Sequence, residues 1–152
     1  MRVLAIDPGA KTGVCLFDAD KGEVTLFRII PNGLAGFKEW WFNMGASLNY
    51  HKADALVVES FELEEGTHGV DLTPVGIIGY LKTLAIPIVW QRRMERGKDR
   101  LITPAVLKRA GLYPKRGELK EGHQVAALQH ALAYLVRIRH HKTIELLHPK
   151  EA

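Results

Sequence analysis

Two acidic residues each end a short apolar stretch of this sequence. Asp7 closes the nearly continuous apolar stretch 2–7, and Glu59 closes a second one at 54–59. Both stretches are typical of buried β-strands. If the strands are parallel neighbours, the two carboxylates emerge side by side at one edge of the sheet. One strand-terminal acid more often caps a loop, but two at matching ends favour a site for Mg²⁺ or Mn²⁺, which take oxygen ligands and in pairs clamp a scissile phosphate.

A third candidate group lies on a helix that the apolar spacing predicts over 122–137. The apolar stripe of this helix is formed by Val125, Leu128, Leu132, Leu135 and Val136. We expect the opposite face to carry His123, Ala126, Ala127, His130 and Tyr134. His123, near the amino end, is able to ligate a metal or to transfer a proton, although a single histidine is more often structural.

The elements that must position these groups form an α/β pattern. Strands predicted at 2–7, 13–18 and 23–30 are joined by short turns and therefore form an antiparallel meander. A helix at 34–48 makes the crossover to a parallel strand at 54–59, and a helix at 74–85 precedes a fifth strand at 86–90. A short helix at 104–110 and the helix at 122–137 complete the chain. We predict a single α/β domain over 1–152, with a five-stranded mixed sheet flanked by helices.

Composition excludes several classes of protein. The chain has 152 residues, 47% of them hydrophobic and 25% charged, which excludes disorder and fibrous repeats. No apolar stretch approaches the roughly 20 residues of a membrane-spanning helix, and the first residues form a strand pattern rather than a leader. We therefore expect a soluble, cytoplasmic protein with no membrane contact. The single cysteine, Cys15, excludes an internal disulfide or a thiolate zinc site and is expected in the core.

Charge is distributed unevenly along the chain. Residues 1–91 contain 7 Lys and Arg against 11 Asp and Glu, whereas residues 92–142 contain 13 against 4. A nucleic-acid enzyme shows this division when carboxylates gather metal in one part and cations hold phosphates in another. A solvated basic face explains the charge equally well. We take 92–122 as the candidate DNA-facing segment, a polar, glycine-bearing stretch with the composition of a mobile loop.

The segments around the candidate groups resemble one known family. Residues 5–9 are Ala-Ile-Asp-Pro-Gly, 12–14 are Thr-Gly-Val, 55–59 are Ala-Leu-Val-Val-Glu, and 123–132 are His-Gln-Val-Ala-Ala-Leu-Gln-His-Ala-Leu. Together they resemble RuvC-type Holliday-junction resolvases of the RNase H-like fold, especially compact phage-type members, over nearly the whole chain. The resemblance implies a Mg²⁺-dependent endodeoxyribonuclease in which Asp7 and Glu59 bind two metal ions and His123 completes the first metal site. Mn²⁺ is expected to substitute.

The sequence departs from the family at one position. The resemblance implies an Asp or His on the last helix followed three residues later by an Asp; His123 matches, but position 126 is alanine. A methyl group neither ligates Mg²⁺ nor accepts a proton, so this chain should bind the second metal poorly and cut slowly or not at all. Our hypothesis is that Ala126 replaces a parental aspartate. The alternative is a naturally divergent site that uses Glu62, Glu118 or Glu121.

The resemblance also implies branched DNA as the substrate and a homodimer as the active form, because a four-way junction has two-fold symmetry. The helix at 74–85, with Gly76 and Gly79, is a candidate dimer interface, although helix packing explains these glycines almost as well. Phe61 falls where related resolvases present an aromatic residue to the branch point, although a core role is equally plausible. The cations expected to hold phosphates are Arg92, Arg93, Arg96, Lys98, Lys108, Arg109, Lys115 and Arg116.

Two other functions fit the same sequence. One is a catalytically dead branched-DNA-binding protein of this fold, which Ala126 favours. The other is a less selective nuclease that cuts flaps and other branched DNA. Cleavage by an Ala126→Asp form separates the first from a resolvase, and cutting of four-way junctions against flaps separates the second.

Overall fold

The computed structural model describes residues 1–43, 52–61, 69–98, 102–114 and 122–150, with the side chains of 96–98 left out. Five strands form one sheet in the order β3-β2-β1-β4-β5. Their bounds are β1 Arg2–Asp7, β2 Thr12–Asp18, β3 Glu23–Ile30, β4 Ala55–Ser60 and β5 Val89–Arg92. The first three strands pair antiparallel, whereas β1 with β4 and β4 with β5 pair parallel. The predicted five-stranded mixed sheet is confirmed.

Six helices are described. Their bounds are α1 Gly33–Trp40, α2 Thr73–Thr83, α3 Arg93–Lys98, α4 Pro104–Arg109, α5 Gly122–Arg137 and α6 His141–Leu147. The two longest, α2 and α5, have 11 and 16 residues. Within the described ranges, none of these helices is long and apolar enough to cross a membrane.

The sheet separates two apolar cores, because side chains alternate between its faces. On one face, Val3 and Ala5 of β1 and Val57 of β4 pack with α5. On the other face, the intervening residues of β1 and β4 pack with α1 and α2 around Phe37 and Ile77. Cys15 is fully buried on the α5 face, as predicted, and burial raises the pKa of its thiol.

Several predicted bounds need correction, and two helices were missed. The strands predicted at 13–18 and 54–59 are Thr12–Asp18 and Ala55–Ser60, and the helices predicted at 74–85 and 104–110 are Thr73–Thr83 and Pro104–Arg109. The fifth strand was predicted at 86–90 but runs from Val89 to Arg92, because Pro87 lacks the N–H that a ladder requires and the strand ends on polar residues. The helix predicted at 34–48 begins at Gly33, and its predicted end lies outside the described residues. Helix α3 was missed because a glycine-bearing basic segment was interpreted as a loop. Helix α6 was missed because His140, whose imidazole accepts the Thr143 N–H, is an unusual N-cap residue.

The helix predicted at 122–137 has these bounds, but its predicted faces were partly wrong. Ala126, Ala127 and His130, assigned to the face opposite the apolar stripe, are all buried, and Ala127 belongs to the apolar core. Val125 and Val136, assigned to the stripe, are only half-buried. Helix α5 lies across β2, β1 and β4 and is covered on most sides, so its buried surface is wider than a single stripe.

Candidate active site

The two acids lie at the same edge and on the same face of the sheet. The register of parallel β1 and β4 runs through Ile6 opposite Val58, and the next residues are Asp7 and Glu59. Neighbouring strands are about 4.8 Å apart. Because side chains alternate, both acids share the face of Ala5 and Val57, which is the face covered by α5. The sequence prediction that these carboxylates emerge side by side therefore agrees with the strand register.

Two glycines allow α5 to approach this edge. A Cβ on Gly13, which pairs with Asp7 across β1 and β2, would overlap the carbonyl group of His123 and lie 2.8 Å from the Gln124 nitrogen. A Cβ on Gly9 would lie 3.3 Å from Cε1 of the His123 ring. The first turn of α5 is thus in direct contact with the strand end, and its positive dipole end lies beside the acids.

Asp7 forms the first of two acid–imidazole pairs. Its Oδ2 lies 2.8 Å from Nδ1 of His123. The Asp7 side chain is 8% exposed, whereas His123 is 45% exposed. A half-exposed imidazole in contact with a buried carboxylate is accessible to a substrate or an ion.

Glu59 forms the second pair, which is closed to solvent on the histidine side. Its Oε2 lies 2.7 Å from Nε2 of His130, a residue with no exposed surface. Nδ1 of His130 lies 3.1 Å from Oε1 of Gln91, and Nε2 of Gln91 donates to the His130 carbonyl oxygen at 3.4 Å. Gln91, which is 1% exposed, pairs with Glu59 across β4 and β5. Three side chains from two strands and α5 thus form one buried network.

The Gln91 amide determines which nitrogen of His130 carries a hydrogen. Because the Gln91 NH₂ group faces a carbonyl oxygen, its Oε1 faces Nδ1, so Nδ1 is the donor. The 2.7 Å contact between Nε2 and Oε2 of Glu59 is the second hydrogen bond of this imidazole. The neutral amide therefore orients the imidazole, and the imidazole orients the carboxylate.

Ala126 lies between the two pairs. Positions 123, 126 and 130 are three and four residues apart and share one face of α5, and the residues on either side contact Asp7 and Glu59. The Ala126 side chain is 1% exposed, yet it joins neither apolar core among the described residues. A buried methyl group thus occupies the position from which an aspartate would reach toward the gap between the two acids.

Sequence reasoning missed four residues around the site. His130 was placed on the same face of α5 as His123 and Ala126 but was given no role, and Gln91 fell between the strand predicted at 86–90 and the basic segment at 92–122. Gln124 is fully buried, and neither its amide oxygen nor its amide nitrogen has a hydrogen-bond partner.

The pKa of Asp71 is lowered by the hydroxyl and N–H of Thr73, then by the Ala10 N–H and by the charge of His123 when protonated. Because side chains alternate along a strand, counting every second residue of β5 could have placed Gln91 on the face covered by α5. No simple pattern indicates the other three residues.

The types of donor at this edge fit a divalent ion. Two carboxylates from neighbouring strands and one accessible imidazole are suitable ligands for Mg²⁺ or Mn²⁺. As they are placed within the described part of the chain, however, no group of three or more His, Cys, Asp or Glu residues is close enough to hold a metal ion.

The predicted DNA-contacting residues fall into two groups. Arg92 lies at the end of β5 beside Ser60, at the same edge as Glu59, and Arg93 begins α3; both are exposed. Phe61, directly after β4, is half-buried. These three residues lie near the acids.

Three of the predicted DNA contacts have partners within the protein, and the first is Arg92, whose Nε lies 3.6 Å from Oε1 of Glu95. Arg109 donates to the Leu147 carbonyl oxygen at 3.3 Å, which caps the last turn of α6. The Lys108 ammonium lies 4.9 Å from the centre of the Tyr113 ring. The side chains of Arg96 and Lys98 lie outside the described residues, as do Lys115, Arg116 and the alternative ligands Glu62, Glu118 and Glu121.

Two solved structures of RuvC from Thermus thermophilus have the same fold. The RuvC in complex with a Holliday junction substrate superposes with a TM-score of 0.69 at 15% sequence identity, covering 93% of this chain and 97% of that chain. A second RuvC structure gives a TM-score of 0.67 at 16% identity, covering 91% and 96%. No protein-family model and no curated protein sequence matches the chain. The RuvC-like fold expected from the sequence is therefore confirmed, whereas the likeness to compact phage-type members stays a prediction.

Proposed function

We propose that this chain is a structure-selective endodeoxyribonuclease that resolves Holliday junctions and other branched DNA with divalent metal ions, and that Ala126 weakens or abolishes its cleavage. The observation that carries the proposal is the meeting of Asp7 and Glu59 at neighbouring strand ends on the face covered by α5. The shared fold with a RuvC that was solved with a Holliday junction substrate supports it.

Each site residue has a task in this proposal. Asp7 and Glu59 would hold two Mg²⁺ or Mn²⁺ ions, with His123 completing the site near Asp7. When bound, such ions lower the pKa of an attacking water and stabilise the leaving oxygen of a phosphodiester. The 2.8 Å contact with Asp7 orients the His123 ring, and the His123 side chain is 45% exposed.

DNA binding would use the basic segment next to this rim. Arg92 and Arg93 follow directly from β5 and are exposed beside the acids, which suits contact with phosphates on either side of the cut. Arg96, Lys98, Lys115 and Arg116 would extend this surface. Lys108 and Arg109 would exchange their partners within the protein for phosphates, as Arg92 would exchange its contact with Glu95.

A homodimer would place two such sites on a symmetric junction. The proposed interface is α2. Gly76 lies against Leu34 of α1, which gives it a packing role within one chain, whereas a Cβ on Gly79 meets no atom within 4 Å. Sedimentation with and without a four-way junction would test this part of the proposal.

The experiment that tests the function compares this chain with its Ala126→Asp form. With Mg²⁺ and a four-way junction, we expect cleavage by the Ala126→Asp form to exceed that of the unchanged chain by at least about a hundredfold, since the substitution restores a ligand and a charge. Ala126→Asn, of nearly the same size, is the matched control and should restore little. Equal cleavage by all three would overturn the proposal. Flap substrates in parallel measure selectivity for junctions.

A second candidate function is supported by the same residue. The buried methyl group of Ala126 fits a protein that binds branched DNA without cutting it. This candidate predicts junction binding by both forms and cleavage by neither.

A thermal measurement distinguishes the two without DNA. A third carboxylate beside Asp7 and Glu59 should destabilise the metal-free protein, and an ion that binds only the folded state restores stability. The nuclease proposal therefore predicts a larger Mg²⁺-dependent rise in Tm for the Ala126→Asp form than for the unchanged chain.

A further inference from the structure

The two acid–imidazole pairs differ in what lies behind the imidazole. His123 is 45% exposed at the start of α5, where it is accessible. His130 has no exposed surface, and Gln91 lies on its far side. No substrate reaches His130 directly in this arrangement. Its only route to the chemistry of the site is through the Glu59 carboxylate, 2.7 Å away.

From this geometry we propose that His130, oriented by Gln91, is a positioning residue that holds the Glu59 carboxylate in place for the divalent ion. The inference rests on the proposed function, because the ion belongs to that function. It assigns a role to two buried residues that lie outside the expected ligand set.

Burial argues against a purely structural role for this network. The residues three positions before and after His130 on α5, Ala127 and Ala133, are buried and apolar. An imidazole and an amide in such surroundings are tolerated when they bond to each other, but they add no more stability than apolar residues of similar volume. The network instead fixes the orientation of the Glu59 carboxylate, which would otherwise rotate about its side-chain torsions.

A carboxylate whose orientation is already fixed binds a metal ion more tightly, because it loses less conformational freedom on binding. Partners behind metal ligands orient those ligands, and their removal typically lowers metal affinity or activity 10–100-fold. We expect an effect of this size for His130. The effect of Gln91 should be smaller, because it acts on Glu59 through the imidazole.

Three substitutions of His130 separate positioning from packing. His130→Gln keeps an N–H donor near the position of Nε2, facing Glu59. His130→Asn keeps a donor near the position of Nδ1, facing Gln91, and loses the contact with Glu59. His130→Leu keeps neither contact but fills the site with apolar volume. Each is made in the Ala126→Asp form, which carries the fuller ligand set.

The main readout is the affinity for Mn²⁺, measured from the electron paramagnetic resonance signal of the free ion. We expect His130→Asn and His130→Leu to bind Mn²⁺ about 10–100-fold more weakly and His130→Gln to retain most of the affinity. Junction affinity without metal should be unchanged in all three, so that cleavage loses kcat rather than KM. If Mn²⁺ affinity follows Tm across the three variants instead of the donor to Glu59, the inference is wrong.

A metal-free measurement separates failure of this inference from failure of the proposed function. Long-range proton–nitrogen NMR of the unchanged chain should show a hydrogen on Nδ1 of His130, facing Gln91, and Glu59→Gln should shift the Nε2 signal. If this signal is present but no form binds Mn²⁺, the nuclease proposal fails and the role proposed for His130 fails with it. If Mn²⁺ binds equally to all four proteins, only the role of His130 is overturned.

Discussion

The two edges of the sheet use acidic residues in different ways. At one edge Asp7 is the last residue of β1 and Glu59 the penultimate residue of the parallel strand β4, and each is hydrogen-bonded to a histidine of α5. At the opposite edge Asp18 ends β2, where its carboxylate accepts the N–H groups of Asp20 and Lys21 at 3.1 Å each. Asp7 and Glu59 therefore contact α5, whereas Asp18 stabilises the turn that follows β2.

Cations and backbone donors stabilise the acids of the opposite edge. The Lys21 N–H, followed by Arg2, lowers the pKa of Asp18, and the N-terminal ammonium lowers the pKa of Asp20. Acids held by local donors in this way stabilise a turn. Two acids on adjacent strands that both face α5 concentrate negative charge at one point, which favours the binding of a cation. An acidic strand end therefore indicates a metal site only when a second one lies beside it.

The largest expected effect concerns salt. With six to ten phosphate contacts, junction affinity should fall about 10³–10⁵-fold between 50 and 200 mM salt. Arg92→Ala and Arg93→Ala, at the edge of the acids, should each lower the salt slope by about one, whereas Lys21→Ala at the opposite edge should not. Filter binding or fluorescence anisotropy measures this. A flat salt response would remove the basic segment from the DNA-binding surface.

The next effect concerns cleavage. In the Ala126→Asp form, Asp7→Asn and Glu59→Gln should each lower cleavage of a four-way junction by about a thousandfold, since each removes a metal ligand worth several kcal/mol in the transition state. Asp18→Asn is the matched control at the other edge and should leave the rate within about twofold. Equal losses at both edges would mean that these substitutions act through folding.

A smaller effect concerns the approach of α5 to the strand end. Gly13→Ala inserts a methyl group against the carbonyl of His123, and overpacking of this kind costs about 1–3 kcal/mol of unfolding free energy. Gly79→Ala, where a Cβ meets nothing within 4 Å, should instead stabilise α2 by about 0.5–1 kcal/mol. Urea unfolding measures both. A neutral Gly13→Ala would show that α5 does not need this contact.

The smallest effect concerns pH. The pKa of Asp18 is lowered in the folded protein, so its contribution to stability is present above the unfolded value of about 3.9 and is lost as pH falls through the folded pKa. Asp18→Asn should therefore lower Tm near neutral pH. The difference from the unchanged chain should shrink below about pH 4. A Tm difference that is constant with pH would assign the effect to packing.

The positions of Asp7 and Glu59 were predictable from the sequence. An apolar run that ends on an acid indicates a buried strand, and the alternation of side chains indicates the face of the sheet on which the acid lies. The meander and the parallel crossover followed from short turns and one long connection. Helix α5 was also predicted with its observed bounds. These features depend on local patterns that tertiary packing reinforces.

The second pair was not predictable from the same patterns. Helical spacing placed His130 on the face of α5 opposite the apolar stripe, together with His123 and Ala126, but did not indicate that this face is buried as well. Gln91 lies between the strand predicted at 86–90 and the basic segment at 92–122, so no pattern assigned it to the sheet. Burial of polar groups depends on partners distant in sequence, 39 and 71 residues away in this network.

The most direct test of the account is a crystal of the Ala126→Asp form soaked with Mn²⁺. The account predicts anomalous density between the carboxylates of Asp7 and Glu59, with the new aspartate and His123 within ligand distance. Strong Mn²⁺ peaks elsewhere on the protein, with none between these two acids, would contradict it.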